Sequence, residues 1–286
     1  MKNVFLGLVL VLLGCAAGAP PGDVQAVDTP PELPRVNTGF AAKYAIYAMV
    51  ASNTYHKAES ERVRFPVEML GWMQVDLDDR PTSEPTGTRM SGLAWDVYEK
   101  AGTNEVIFSF RGTDSPLDYL TANAMIWPFA IQYQQARKNL QEYRRGHPEK
   151  RITLTGHSLG GGLAAGLSVR KGIDTVIFDP SPRIFDGWGD KHKPAERVVV
   201  FQKGEVLTHA RRLWPKLVRT FDKRSFFMTE FDFEDFNPHR MDQLALGLLS
   251  LGAKSDSALA AVLDATRPKI PSPADAKAAE AAAGRS

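Results

Sequence analysis

The sequence predicts an α/β fold, a mostly parallel central sheet with flanking helices, on three observations. Short apolar runs rich in β-branched and aromatic residues occur at 106–110, 152–155, 174–178 and 197–202, the composition of strands buried on both faces. Helical stretches separate several of them, as parallel strands joined by crossovers require. One run ends in Gly156-His157-Ser158-Leu159-Gly160-Gly161-Gly162, a turn that opens directly into a helix of small residues over 159–170.

Taken in order, residues 1–19 lie outside that fold. Met1-Lys2-Asn3 is a short positive start, 4–13 is continuously apolar, and small residues follow. This reads as an export signal, since the apolar run is too short to span a bilayer. The one cysteine, Cys15 in Leu12-Leu13-Gly14-Cys15-Ala16, resembles the lipidated cysteine of a bacterial lipobox, and simple cleavage near Ala19 is the alternative. Lipidation would make the protein a membrane-anchored lipoprotein of the cell envelope; simple cleavage would leave it secreted or periplasmic. A lone cysteine excludes an intramolecular disulfide. Residues 20–36 form a proline-rich linker, 37–266 the catalytic-sized domain, and 267–286 a tail low in large apolar residues and expected to be poorly ordered.

Within the domain, 40–55 reads as an amphipathic helix with Tyr44, Tyr47 and Ala48 at helical spacing, and 71–77 and 92–98 alternate as strands. Residues 116–131 crowd Leu117, Tyr119, Leu120, Trp127 and Phe129 together before the chain turns polar at Gln132. That composition fits a lid or acyl pocket and fits equally a helix buried on the sheet. At 286 residues the chain can bury one sizeable core. A net charge of +2 without a basic patch speaks against nucleic acid as a partner. Six histidines and one cysteine, with no paired-ligand spacing, give no metal signature, so no metal or cofactor is expected. Oligomeric state is not legible.

The glycine-flanked Ser158 carries the chemistry. In Gly156-x-Ser158-x-Gly160 a strand reverses sharply into a helix, and the serine at the apex stands clear of the backbone in a strained conformation. The N–H of Leu159 opens the helix, where negative charge is stabilised. Acyl chemistry at a serine needs a second donor for the oxyanion, usually from a loop after an earlier strand. Thr113, in Phe110-Arg111-Gly112-Thr113 at the end of the 106–110 run, is in the place for it.

Together Phe110-Arg111-Gly112-Thr113, Gly156-His157-Ser158-Leu159-Gly160-Gly161 and Phe178-Asp179-Pro180-Ser181-Pro182-Arg183 resemble the class 3, fungal-lipase-like branch of the α/β-hydrolases, from about Phe40 to the helix after His239. The resemblance implies an α/β-hydrolase fold, a lid at 116–131, and a triad in the order serine, acid, histidine. By that order His56 and His147 come too early, and His157 lies inside the turn. His192 sits in a polar loop, and His209 leaves no room for an acid before it. His239, in a loop opening the apolar helix 244–251, remains as the base.

Two carboxylates follow strands at suitable places. Glu205, with Val206-Leu207 after it, matches the family's acid position; Asp179, one strand earlier, is the alternative. The function so implied is a serine ester hydrolase, a lipase, esterase or phospholipase A-like enzyme working through an acyl-enzyme on lipid or other carboxylic esters. The alternatives are acyl transfer or amide hydrolysis on the same triad, or a catalytically inactive hydrolase fold serving as a binding module.

Overall fold

Along the chain run α1 (Thr38–Asn53), β1 (Trp72–Val75), β2 (Gly87–Thr88), β3 (Ala94–Lys100), β4 (Glu105–Phe110), α2 (Ile126–Gly146), β5 (Arg151–His157), α3 (Leu159–Lys171), β6 (Asp174–Phe178), β7 (Arg197–Gln202), β8 (Phe227–Phe231), α4 (Met241–Gly252) and α5 (Ser257–Thr266). This is a computed structural model, and it describes residues 33–55, 62–112, 126–181, 193–203, 226–232 and 240–266, with the backbone alone at 126–130. Residues 1–32, on which the expectations of an export signal, of lipid on Cys15 and of most of the linker fall, and residues 267–286 lie outside the described residues. Among the described residues no helix is long and apolar enough to cross a membrane.

Among the described residues the sheet has eight strands, in the order β1-β3-β4-β5-β6-β7-β8 with β2 also paired to β3. β1, β3 and β4 pair antiparallel, and β4 through β8 are all parallel. With helices on both faces, the parallel strands are buried throughout their middle, and all six residues of β7 are buried. Alternation along β7 divides the core: Val198 and Val200 face α1 and α4, while Val199 and Phe201 share the other layer with Leu163 and Leu167 of α3. A mostly parallel sheet between two helical layers, with the serine turn following β5, is the α/β-hydrolase arrangement.

The strands expected from sequence are present, within a residue or two of their ends. α1 starts on Asn37, whose side-chain oxygen accepts from the Phe40 N–H at 2.9 Å. Expected to be amphipathic, the helix is buried continuously from Ala48 through Asn53, because it lies between the sheet and α4. α2 continues well past the polar residues at Gln132. Its buried Tyr133, Ala136, Leu140 and Tyr143 recur at helical spacing on the layer with Phe108 and Leu154. From residue 131 onward, then, this segment is a helix packed on the sheet. Residues 113–125, where the rest of the lid reading falls, lie outside the described residues.

β8 went unrecognised in the sequence, a short Phe-Met-Thr-Glu-Phe stretch. It is the last strand of the sheet, and its outer side is occupied by the end of the proline-rich linker. Glu230 N–H donates to the Pro34 carbonyl at 2.9 Å, Val36 N–H to the Glu230 carbonyl at 3.2 Å, and the Thr229 hydroxyl to the Pro34 carbonyl. Residues 33–36 therefore pack with the sheet.

Candidate active site

Ser158 sits at the apex between β5 and α3 with φ 53° and ψ −122°, a conformation that a side-chain-bearing residue adopts only when its surroundings enforce it. The surroundings do. Ser158 N–H donates to the Phe178 carbonyl of β6 at 3.2 Å, and its own carbonyl accepts from Gly162 N–H at 3.0 Å and Ser181 N–H at 2.9 Å. Its hydroxyl does not cap the helix that it precedes. The turn is therefore clamped through main-chain groups from both sides.

The glycines show how closely the elements meet. A Cβ on Gly160 would lie 2.0 Å from the Phe110 carbonyl oxygen, so helix α3 can cross the end of β4 only with glycine there. At Gly112 an added Cβ would lie 2.1 Å from the Tyr55 hydroxyl, 2.7 Å from the His157 carbonyl oxygen and 3.2 Å from Ser158 Cβ. The end of β4 thus runs directly alongside the serine, as a second oxyanion donor from that strand end requires. Thr113, the next residue, lies outside the described residues. Leu159 opens α3, whose first turn holds no acidic residue and whose last turn carries Arg170 and Lys171. The positive end of the helix dipole is left to face the turn.

Behind the turn lies a buried polar layer that sequence reading missed. The Tyr55 hydroxyl and His157 Nδ1 are 3.1 Å apart, both residues almost fully buried, and the rings meet edge to face. One residue earlier, the Thr54 hydroxyl donates to Ser109 Oγ at 2.8 Å, tying the end of α1 to β4. His157 is thus committed behind Ser158. Tyr55 carried no signal, because its partner lies about a hundred residues downstream.

Asp179 is fully buried with φ 38°. Its N–H donates to the Val200 carbonyl at 3.0 Å, and its Oδ1 accepts from the Gln202 N–H at 2.8 Å. It therefore stands at the end of β6 with one oxygen engaged by the backbone of β7. Glu205 and His239 lie outside the described residues; in the chain they follow the ends of β7 and β8 respectively. His147 is accounted for elsewhere: Nδ1 is 3.2 Å from Asp79 Oδ2 and Nε2 is 3.4 Å from the Leu77 carbonyl. That group belongs to the opposite edge of the sheet, beside Glu99 of β3. There Glu99 is lowered below the usual carboxylate range: burial pushes it up, and the Lys150 ammonium at 2.6 Å with the Tyr143 hydroxyl at 3.0 Å outweigh it. Among the described residues no group of three or more His, Cys, Asp or Glu side chains is arranged to hold a metal ion.

Residues 46–181 match the family model of the Tle-like phospholipase domain. The segment runs from within α1 through the serine turn to Ser181, and over it the fungal-lipase-like reading of the sequence is supported. Among solved structures, the lipase from Rhizopus microsporus var. chinensis is similar at 14% identity and a TM-score of 0.43, with 67% of this chain and 79% of that one covered. The Rhizomucor miehei lipase propeptide complex aligns at 13% identity and 0.43, covering 67% and 72%. The Lip2 lipase from Yarrowia lipolytica aligns at 16% and 0.42, covering 61% and 75%. A comparison with curated proteins finds no match.

Proposed function

We propose that this protein hydrolyses carboxylic esters of lipids, phospholipids among them, through an acyl-enzyme on Ser158. The observation that carries the reading is the strained serine turn at the N-terminus of α3 with the end of β4 packed against it. The match of residues 46–181 to a phospholipase domain supports the lipid class.

In the proposed reaction His239 takes the proton from Ser158 Oγ as that oxygen attacks the ester carbonyl. The oxyanion of the tetrahedral intermediate accepts hydrogen bonds from the Leu159 and Thr113 N–H groups. Collapse expels the alcohol, which receives the proton from His239 and leaves the acyl group on Ser158. Water then repeats the cycle and releases the acid. Glu205 accepts the bond from the far nitrogen of His239 and stabilises the imidazolium. Because the Ser158 backbone is locked by Phe178, Gly162 and Ser181, the oxyanion donor at Leu159 needs no rearrangement as charge develops.

A fluorophosphonate probe tests the activated serine: wild-type protein should label and Ser158→Ala should not. Labelling that survives the substitution, or a wild type inert both to the probe and to a series of p-nitrophenyl esters and phosphatidylcholine vesicles, would count against the reading. We further propose that the chain is exported and anchored by lipid on Cys15. Cys15→Ser should then move the protein from the membrane to the soluble fraction or block its processing; an unchanged distribution would argue for ordinary cleavage.

A further inference from the structure

We infer that Asp179 is a positioning residue for the triad acid: its buried carboxylate fastens the end of β7, so that the chain continuing to Glu205 leaves the sheet at a fixed place. The inference rests on Glu205 and His239 serving Ser158 as proposed above. Three observations carry it. Asp179 Oδ1 accepts from the N–H of Gln202, the last residue of β7, at 2.8 Å, and the Asp179 N–H binds the Val200 carbonyl at 3.0 Å. Two residues on, Ser181 N–H binds the Ser158 carbonyl at 2.9 Å, so one short stretch joins the serine turn to the strand that leads to the acid. On the other side of β7, Lys203 N–H donates to the Phe231 carbonyl at 2.9 Å, at the end of the strand that leads to His239. The three strand ends from which the proposed triad departs are thus laced together, with Asp179 supplying a buried side-chain bond to β7 and the exposed Lys203–Asp232 pair joining β7 to β8.

A carboxylate at 0% exposure is retained here where a neutral acceptor would serve, and at φ 38°, where side chains other than Asn and Asp are disfavoured. Asparagine therefore preserves the bond and the backbone while removing the charge. Glycine tolerates the backbone and removes the bond. These two substitutions separate a brace from a triad acid.

The experiment measures kcat and KM across pH for the full chain on a short-chain p-nitrophenyl ester, together with melting temperature, for Asp179→Asn, Asp179→Gly and Glu205→Gln. A brace gives Asp179→Asn a loss of no more than about tenfold. Asp179→Gly should lose about a hundredfold in kcat with KM little changed, the effect of a misplaced catalytic group. The acid limb of its kcat profile should also move to lower pH, since an imidazolium further from its carboxylate is less stabilised. Should Asp179→Gly not fold, Asp179→Asn still decides between brace and acid, because it keeps both the bond and the backbone. Glu205→Gln should lose about ten-thousandfold, as removal of a triad carboxylate does. A ten-thousandfold loss in Asp179→Asn would make Asp179 the acid and overturn the inference. So would a lowered melting temperature in Asp179→Gly with kcat and the acid limb unmoved. If Glu205→Gln instead keeps wild-type kcat and profile, the triad assignment itself fails.

Discussion

Around the serine turn the molecule is held by main chain; where the parallel strands begin, it is held by charged side chains. At the first edge, the serine turn, the end of β4 and the end of β6 meet through backbone hydrogen bonds and glycine contacts too close for any Cβ. At the second, Lys150 pairs with Glu99 at 2.6 Å and Asp79 at 3.5 Å, Arg151 with Glu105 at 3.0 Å, and Lys43 with Glu196 at 3.1 Å. A cleft of about 190 Å³ between Tyr44, Tyr47, Trp72 and Arg151 opens among these last pairs. The contrast has a physical reason. Long charged side chains re-pack when a neighbour changes, and exposed pairs contribute little. Backbone contacts at van der Waals distance have no such slack, so an edge that must hold a reacting atom in one geometry is built from them. Buried side-chain groups at that edge, Asp179, Tyr55–His157 and Thr54–Ser109, add to these contacts, while the Lys203–Asp232 ion pair past the ends of β7 and β8 is exposed.

The contrast breaks most visibly at the nucleophile. Ser158→Ala should nearly keep the melting temperature, since the turn is clamped through main chain and the hydroxyl does not cap α3, while ester turnover falls by about five orders of magnitude or more. Substantial residual turnover on titrated ester would refute it. Gly160→Ala comes next. Its methyl would meet the Phe110 carbonyl oxygen at 2.0 Å, so the helix must move, and a stability loss of about 3 kcal/mol with loss of activity is expected from denaturant unfolding and the ester assay. Wild-type values for both would show that this edge has more play than its contacts indicate.

Tyr55→Phe should be milder. It removes a buried hydrogen bond to His157 and contact against Gly112, with about 1–2 kcal/mol of stability lost. Turnover should drop severalfold if the end of β4 carries an oxyanion donor. A loss of stability without any loss of turnover would separate this layer from the chemistry.

At the opposite edge, Glu99→Gln should leave turnover unchanged and cost about 1–2 kcal/mol at neutral pH, the Lys150 and Glu99 side chains being only 14% and 19% exposed. The sign with pH follows from the shift. Glu99 lies below its ordinary value of 4.5 when folded, so its contribution is present above that value and lost as pH falls through the lower folded one. The gap between wild type and variant should therefore close in acid. Asp79 acts oppositely: burial and the neighbouring Glu99 raise it, so it takes up a proton more readily when folded. A gap that widens in acid would mean Asp79 governs the cluster.

The catalytic half of the fold was legible because its signals are local. Apolar runs mark strands buried on both faces, and Gly156-x-Ser158-x-Gly160 marks the turn through a steric demand contained within a few residues. What was not legible depends on partners distant in sequence. Tyr55 is meaningful only beside His157, and Asp179 only beside the Gln202 amide. α2 was cut short in the reading because its outer face turns polar at Gln132, although Tyr133, Ala136, Leu140 and Tyr143 keep the helical period. β8 is brief and half exposed, with Phe227 52% accessible, so its pattern resembles that of a loop.

The seating of the linker on β8 bears on self-association. An outermost parallel strand offers unpaired amide and carbonyl groups to any extended segment that approaches, including the same strand of another copy. Here Pro34 and Val36 occupy those groups on Glu230, and Pro34 has no N–H with which to continue a ladder outward. A protein trimmed to begin at residue 37 would have its last strand open to strand-by-strand stacking. One beginning at Leu33 carries its own terminator.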